Sequence, residues 1–314
     1  MQPKLHRRAW LGLAATATVP VAAAAAGHAA PPNWRYCFNT ATIMGQKVPL
    51  PETIDLVAQA GYQGIEPWLR EIDDYVKAGG ALADLRKRLV DRGLTLVSAI
   101  GFAEWIVDDP AKRHQGLEEA KRGMDQLQQL GGQRLAAPPT GATNQTGMNL
   151  LAVAERYRAL LELGDRMGIV PMVEVWGFSK TLSRLGETAL VAMESGHPKA
   201  CILPDIYHLY KGGSDFTGLG LLSAMAVPVL HMNDYPADFP RDKIADKDRI
   251  YPGDGVAPIR EVLAALTQKG TLPWLSLELF NRDYWKQDPA QVARTGLAKM
   301  RSVADAALAS VRPA

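Results

Sequence analysis

Apolar runs of strand length alternate along this chain with segments whose apolar residues fall at helical spacing, and the alternation repeats eight times. The runs are WRYCFNT (34–40), YQGIEPW (62–68), LTLVSAIGF (94–102), RLAAPP (134–139), IVPMVEVW (169–176), CILPDIY (201–207), VPVLHMND (227–234) and LPWLSLEL (272–279). Between the first two, PETIDLVAQAG carries Ile54, Leu56, Val57 and Ala60 on one helical face, has Pro51 near its first turn and stops at Gly61. YRALLELGDRMG and APIREVLAALTQKG stop in the same way, on Gly168 and Gly270. Eight strand–helix units within about 285 residues predict an α/β fold, a single (β/α)8 TIM barrel over 33–310. A doubly wound open sheet would have fewer strands and a glycine-rich first turn, and CFNTATIMG is no such turn. No linker rich in Pro, Gly or Ser divides the chain.

The segment before the barrel reads differently. MQPKLHRRAWLGLAATATVPVAAAAAGHAA has a basic start with adjacent Arg7 and Arg8, an Ala-rich weakly apolar stretch and small residues at its end. This is the plan of a twin-arginine export signal over 1–29, cleaved after Ala29, and it places the expected protein in the periplasm. Pro20 and the scarcity of Leu, Ile and Phe argue against a membrane anchor. Loss of Lys4, Arg7 and Arg8 changes 35 basic and 33 acidic residues to 32 and 33. A mature chain so close to neutral lacks the footprint of a nucleic-acid binder. Cys37 and Cys201 start strands far apart in order, so buried free thiols are expected rather than a disulfide.

Chemistry in such a barrel sits at the C-terminal ends of the strands. The last four runs each place a metal-competent side chain there: Glu174, Asp205, His231 and Glu278. Singly, each has an ordinary explanation. Glu174 could be an ion-paired strand end, Asp205 a helix cap, His231 a hydrogen-bonded core histidine, and Glu278 could face either way. Together they put three carboxylates and an imidazole at one rim, where desolvation and repulsion call for a cation. Oxygen and imidazole donors without thiolates suit one divalent metal ion, Mn, Co, Fe, Zn or Mg. His208, three residues past Asp205, could face the same cavity and donate to a substrate oxygen.

The residues that carry these charges also resemble a known family. CFNTAT, IEPW, EVWG and DIYH, and above all HMNDYPADFP, DKDRIYPGDG and LSLELFNRDYW, are similar to the xylose isomerase-like barrels of sugar isomerases and epimerases. Within that superfamily the likeness is to the inosose isomerases. The resemblance spans nearly everything after residue 30 and is more specific in the C-terminal half. It implies that Glu174, Asp205, His231 and Glu278 bind one divalent metal, that Glu174 and Glu278 are the catalytic acid/base pair, and that His208 binds substrate. The implied activity is divalent-metal-dependent isomerisation or epimerisation of an unphosphorylated keto-sugar or keto-cyclitol through an enediolate.

Other contacts are weaker expectations. Arg249 is the favoured substrate contact among Arg241, Lys243, Lys247 and Arg249, because it falls inside DRIYPGDG. Asn39 and Glu66, at the ends of the first two strands, are candidate hydroxyl partners. Trp68, Trp105 and Trp176 could wall a sugar's C–H face. Lys180 stands where related epimerases place a carboxylate, which weakens the epimerase reading. The same proton removal could instead expel a β-leaving group, giving a lyase or dehydratase of a 3-keto-glycoside or keto-cyclitol. A non-catalytic sugar-binding barrel is the third reading. The expected partner is a small sugar or cyclitol, with no nucleic acid, no membrane span after signal cleavage and a homo-oligomer left open.

Overall fold

The computed structural model describes residues 34–311, so the export signal expected over 1–29 lies outside the described residues. Eight parallel strands form the centre: β1 (Arg35–Asn39), β2 (Gly64–Glu66), β3 (Thr95–Leu96), β4 (Arg134–Ala137), β5 (Val170–Glu174), β6 (Ile202–Leu203), β7 (Val229–Met232) and β8 (Trp274–Leu277). Pairing runs β3–β2–β1–β8–β7 along one arc and β4–β5–β6 along the other. Single-residue pairings of Ala99 with Leu135 and of Asp205 with His231 join the arcs into a ring. The seams carry backbone bonds from Ala136 N to Ala99 O (2.9 Å) and from His231 N to Pro204 O (3.0 Å).

Several strands are shorter than the apolar runs that mark them. β6 is the clearest case: Pro204 has no N–H for a ladder, and the next residue, Asp205, already caps the following helix. The outer layer is α1 (Leu50–Ala60), α2 (Leu69–Lys77), α3 (Leu82–Asp91), α4 (Pro110–Leu130), α5 (Leu150–Met167), α6 (Leu185–Glu194), α7 (Ile206–Gly212), α8 (Ile259–Gln268) and α9 (Pro289–Val311). Two helices, α2 and α3, fill the β2–β3 connection where one was expected. Gly61 and Gly168 take φ of 94° and 69° immediately after α1 and α5, the left-handed geometry that glycine accepts without strain.

Inward-facing strand positions recur every second residue, and their chemistry changes with height. Lower down, Cys37, Val97, Met172, Leu203, Val229 and Trp274 form an apolar plug. A Cβ on Gly64 would come within 2.5 Å of Val97, so the absence of a side chain there lets the plug close. Above it, one inward position up and two for Glu278, come Asn39, Glu66, Glu174, His231, Ser276 and Glu278, all buried. The polar layer therefore rests on a dry floor. Cys37 and Cys201 are buried and free, in line with the sequence reading. No helix among the described residues is long and apolar enough to cross a membrane.

Candidate functional site

Glu174 ends β5, Asp205 lies two residues past β6, His231 is inside β7 and Glu278 lies one residue past β8. The barrel brings all four to one point. His231 Nδ1 stands 3.2 Å from Glu278 Oε2, 3.7 Å from Asp205 Oδ2 and 4.0 Å from Glu174 Oε1. Asp205, His231 and Glu278 form the tightest set, with one donor atom from each within 4.8 Å of the others. Glu174 stands slightly outside it. Among the described residues, neither His231 Nδ1 nor Glu174 Oε2 has a hydrogen-bond partner, although both atoms are buried. The Nδ1–Glu278 approach is thus a close charge contact without hydrogen-bond alignment. Buried polar atoms left unpaired are costly, and two of them facing further carboxylate oxygens fit a divalent cation.

The electrostatics agree with that fit. Burial raises the Glu174 carboxyl well above its usual range, and Glu278 and Asp205 push it further, against the opposing pull of His231. Burial works against the His231 imidazolium, but Glu278 and Glu66 override it and lift the ring well above its usual value. Glu278 goes the other way: burial would raise it, yet His231 and Arg249 bring it below the usual range. Without a cation, the cluster keeps protons on His231 and Glu174 to limit its negative charge.

Asp205 combines the two roles considered for it. Its Oδ1 accepts from His208 N (2.8 Å) and caps α7. Its Oδ2 accepts from Asn233 Nδ2 (2.9 Å) and Arg249 Nη1 (3.0 Å). Arg249 is almost wholly buried and also donates from Nη1 to Glu278 Oε2 (2.8 Å). Its guanidinium lies between the rings of Tyr207 (4.3 Å) and Phe280 (4.9 Å). Asp246 Oδ1 accepts from Nη2 of the same group. Because Arg249 Nη2 donates to His208 Nε2 (3.1 Å), that nitrogen accepts and Nδ1 carries the ring proton. Burial first, then Arg249, lower His208 to about 4, so the ring is neutral. Its buried Nδ1 has no partner among the described residues and is a donor beside the cavity.

Two expected substrate contacts are corrected. Asn39 and Glu66 are fully buried and do not line the cavity. Asn39 Nδ2 donates to Glu66 Oε2 (3.0 Å) and Glu278 Oε1 (3.1 Å), while its Oδ1 accepts from Trp68 Nε1 (3.2 Å). Glu66 accepts from Ser98, Ser276, Asn39 and His231. Glu66 Oε2 accepts three of these bonds and Oε1 the one from Ser98, and both Asn39 amide hydrogens are engaged, so the two residues are spent inside the polar layer rather than on a substrate hydroxyl. Burial would raise Glu66, but His231 and the two serines bring it to about 2, so it is ionised.

The cavity above the cluster holds about 210 Å³, enough for one small ring. Its polar lining is Glu174, His208, Asp246, Arg249 and Glu278, and its aromatic lining is Trp68, Phe102, Trp176, Phe178 and Phe280. Trp105 is not among them: it packs on Tyr157 and donates to Pro138 O (2.8 Å). Arg241, Lys243 and Lys247 are exposed and lie away from the cavity, leaving Arg249 as its one lining residue from that basic group.

The loop that delivers Arg249 is tied down by Asp234. Its Oδ1 accepts from Tyr235 N (2.8 Å) and Ala257 N (2.9 Å), and its Oδ2 from Gly253 N (2.9 Å) and Gly255 N (3.1 Å). Asp234→Ala orphans these amides and is expected to destabilise the protein by about 3 kcal/mol in urea unfolding. An unchanged unfolding midpoint would show that the loop is held by other contacts.

Sequence reasoning missed Asn233, Ser276, Ser98 and Asp246. The first two carry a usable signal, since each lies two residues from a cluster member on the same strand face: Asn233 from His231 and Ser276 from Glu278. Asp246 sits in an irregular loop and has no such signal.

Comparison with known proteins adds a family to this geometry. Residues 54–303 match the family described as the xylose isomerase-like TIM barrel. The inosose isomerase of Bacillus velezensis is 23% identical over 267 residues, covering 83% of this chain and 94% of that protein. The 3-dehydroshikimate dehydratase of Pseudomonas aeruginosa is 24% identical over 234 residues, covering 74% of this chain and 36% of that longer protein. The crystal structure of the IolI protein, described as having a bound zinc atom, superposes with a TM-score of 0.79 at 20% identity. The match covers 86% of this chain and 98% of that one.

Proposed function

Because the chain belongs to the xylose isomerase-like TIM-barrel family, we propose that it is a metal-dependent isomerase or epimerase of an unphosphorylated keto-sugar or keto-cyclitol. The observation that carries this reading is the convergence of Glu174, Asp205, His231 and Glu278 beneath a ring-sized cavity. A divalent cation held by these four side chains would supply Lewis acidity, making the C–H bond beside a ketone easier to deprotonate.

The chain's own residues account for the rest. Glu174 is the proton acceptor: it lines the cavity, its Oε2 is free, and its raised pKa moves it toward the pH at which it would work. Glu174 can then return the proton it has gained to a substrate carbon, whereas Glu278, held ionised by His231 and Arg249, is the second base of the pair and returns a proton only after taking one up. His208 Nδ1–H donates to a substrate oxygen, and Arg249, bonded to Nε2, keeps the ring proton on Nδ1 for that purpose. The aromatic lining covers apolar C–H surface of a ring and excludes water. Trp176→Ala should therefore raise KM by about tenfold with a smaller change in kcat, the loss of roughly 1.4 kcal/mol of ring contact. Unchanged KM would remove Trp176 from the binding surface.

The relatives support the substrate class, one being an inosose isomerase and another a 3-dehydroshikimate dehydratase. The dehydratase favours a second reading, in which removal of the same proton is followed by loss of a β-hydroxyl or glycosidic oxygen. The exported setting expected from residues 1–29 adds to the proposal a substrate without phosphate. The test is a panel of keto-cyclitols, keto-sugars and 3-keto-glycosides incubated in D2O and followed by NMR. Deuterium in a rearranged ketone supports isomerisation, deuterium with inverted configuration supports epimerisation, and an α,β-unsaturated ketone supports the dehydratase. No exchange in any compound would sink all three.

A further inference from the structure

Glu66 is a buried carboxylate with no view of the cavity, yet the barrel surrounds it with donors from four other strands or strand ends. Asn39 Nδ2 (3.0 Å) at the end of β1, Ser276 Oγ (2.7 Å) on β8 and His231 Nε2 (3.0 Å) on β7 all reach Oε2, while Ser98 Oγ, just past β3, reaches Oε1. Every neighbour donates, so the group they enclose is an acceptor at each position. A carboxylate that accepts from Nε2 requires the proton on that nitrogen. When the ring is neutral, its lone pair is then on Nδ1, the atom that faces Glu278 Oε2, Asp205 Oδ2 and Glu174 Oε1.

We propose that Glu66 is a positioning residue that fixes His231 as an Nδ1 donor for the cation. The proposal rests on the reading of the four-residue cluster as a metal site and is independent of which ketone is the substrate. Glu66 acts on the ring in two ways. The Nε2–H···Oε2 bond selects the tautomer and sets the ring plane, and the negative charge makes Nδ1 a better electron-pair donor. Asn39, Ser98 and Ser276 hold the carboxylate in register. Asn39 also bonds Glu278, so the same support reaches a second member of the cluster. Sequence reading assigned Glu66 to a substrate hydroxyl because it ends a strand at the correct height. The structure instead keeps it inside the barrel beneath the cavity, bonded to residues of β1, β7 and β8 and to Ser98.

The test uses metal-free protein titrated with cobalt(II) by calorimetry and visible absorption, with no substrate present. Glu66→Gln keeps the shape but removes the charge, and is expected to weaken cobalt binding by about 10–100-fold and to shift the ligand-field bands. Ser276→Ala, which leaves the carboxylate in place, should weaken binding much less. Wild-type affinity and an unchanged spectrum in Glu66→Gln would overturn the proposal. The zinc-loaded wild-type protein gives a check that needs no variant. Long-range ¹H–¹⁵N NMR should place the His231 proton on Nε2, and a proton on Nδ1 would overturn the assignment. Wild-type protein that takes up no cobalt would instead remove the metal reading on which the proposal stands.

Discussion

Glu174→Gln is expected to lower deuterium exchange into a keto substrate by about 10²–10⁴-fold, the range contributed by a well-placed proton-transfer group. The substitution keeps the size of the side chain and an oxygen that can face the cation, but it removes the basic carboxylate. Glu174 stands outside the tight Asp205–His231–Glu278 set, so cation affinity should fall far less than exchange does. That difference separates a lost proton acceptor from a lost ligand. Glu278→Gln should behave otherwise, because Glu278 also receives Arg249 and Asn39 and belongs to the tight set. There, cation affinity and exchange should fall together. Glu174→Gln protein that exchanges at the wild-type rate while carrying a full complement of metal would rule out Glu174 as the acceptor.

Cation binding should strengthen steeply with pH, by about tenfold per pH unit for each proton that must leave. The sign follows from two raised groups. His231 and Glu174 both hold their protons more tightly in the folded, metal-free protein than in the unfolded chain. A raised folded-state pKa gives stability that is present below the unfolded value, near 6.5 for His231 and 4.5 for Glu174, and is lost as pH rises through the folded value. The metal-free protein should accordingly lose stability on going from mildly acidic to alkaline pH, while its appetite for a cation grows. If both protons leave, affinity rises by about 100-fold per pH unit across that window. Calorimetry in buffers of different ionisation enthalpy counts the released protons directly. Binding without proton release near neutral pH would contradict the charge pattern described for the cluster.

The eight-fold alternation was legible because parallel strands covered by helices leave apolar runs of fixed length between amphipathic segments. Strand ends were less legible, since proline and side-chain caps cut the ladders short, as at Pro204 and Asp205. The four converging residues could be read because each lies at or within two residues of a strand end, and strand ends meet at one rim in a barrel. Orientation around the barrel was the part that could not be read. Asn39 and Glu66 stand at the same height as Glu174 and Glu278, but nothing in their local sequence tells whether they open onto the cavity or are spent on bonds to one another and to the cluster. Arg249 shows the same limit, for its hold on Asp205 and Glu278 depends on a long irregular connection anchored by Asp234. The aromatic wall was partly visible in Trp68 and Trp176. Phe102, Phe178 and Phe280 had no spacing to mark them.

Crystals of the purified protein loaded with cobalt(II) would test the central claim most directly, through an anomalous difference map collected at the cobalt edge. The account predicts a single strong peak enclosed by Glu174, Asp205, His231 Nδ1 and Glu278. A map with no peak there, or with cobalt held elsewhere in the barrel, would contradict it.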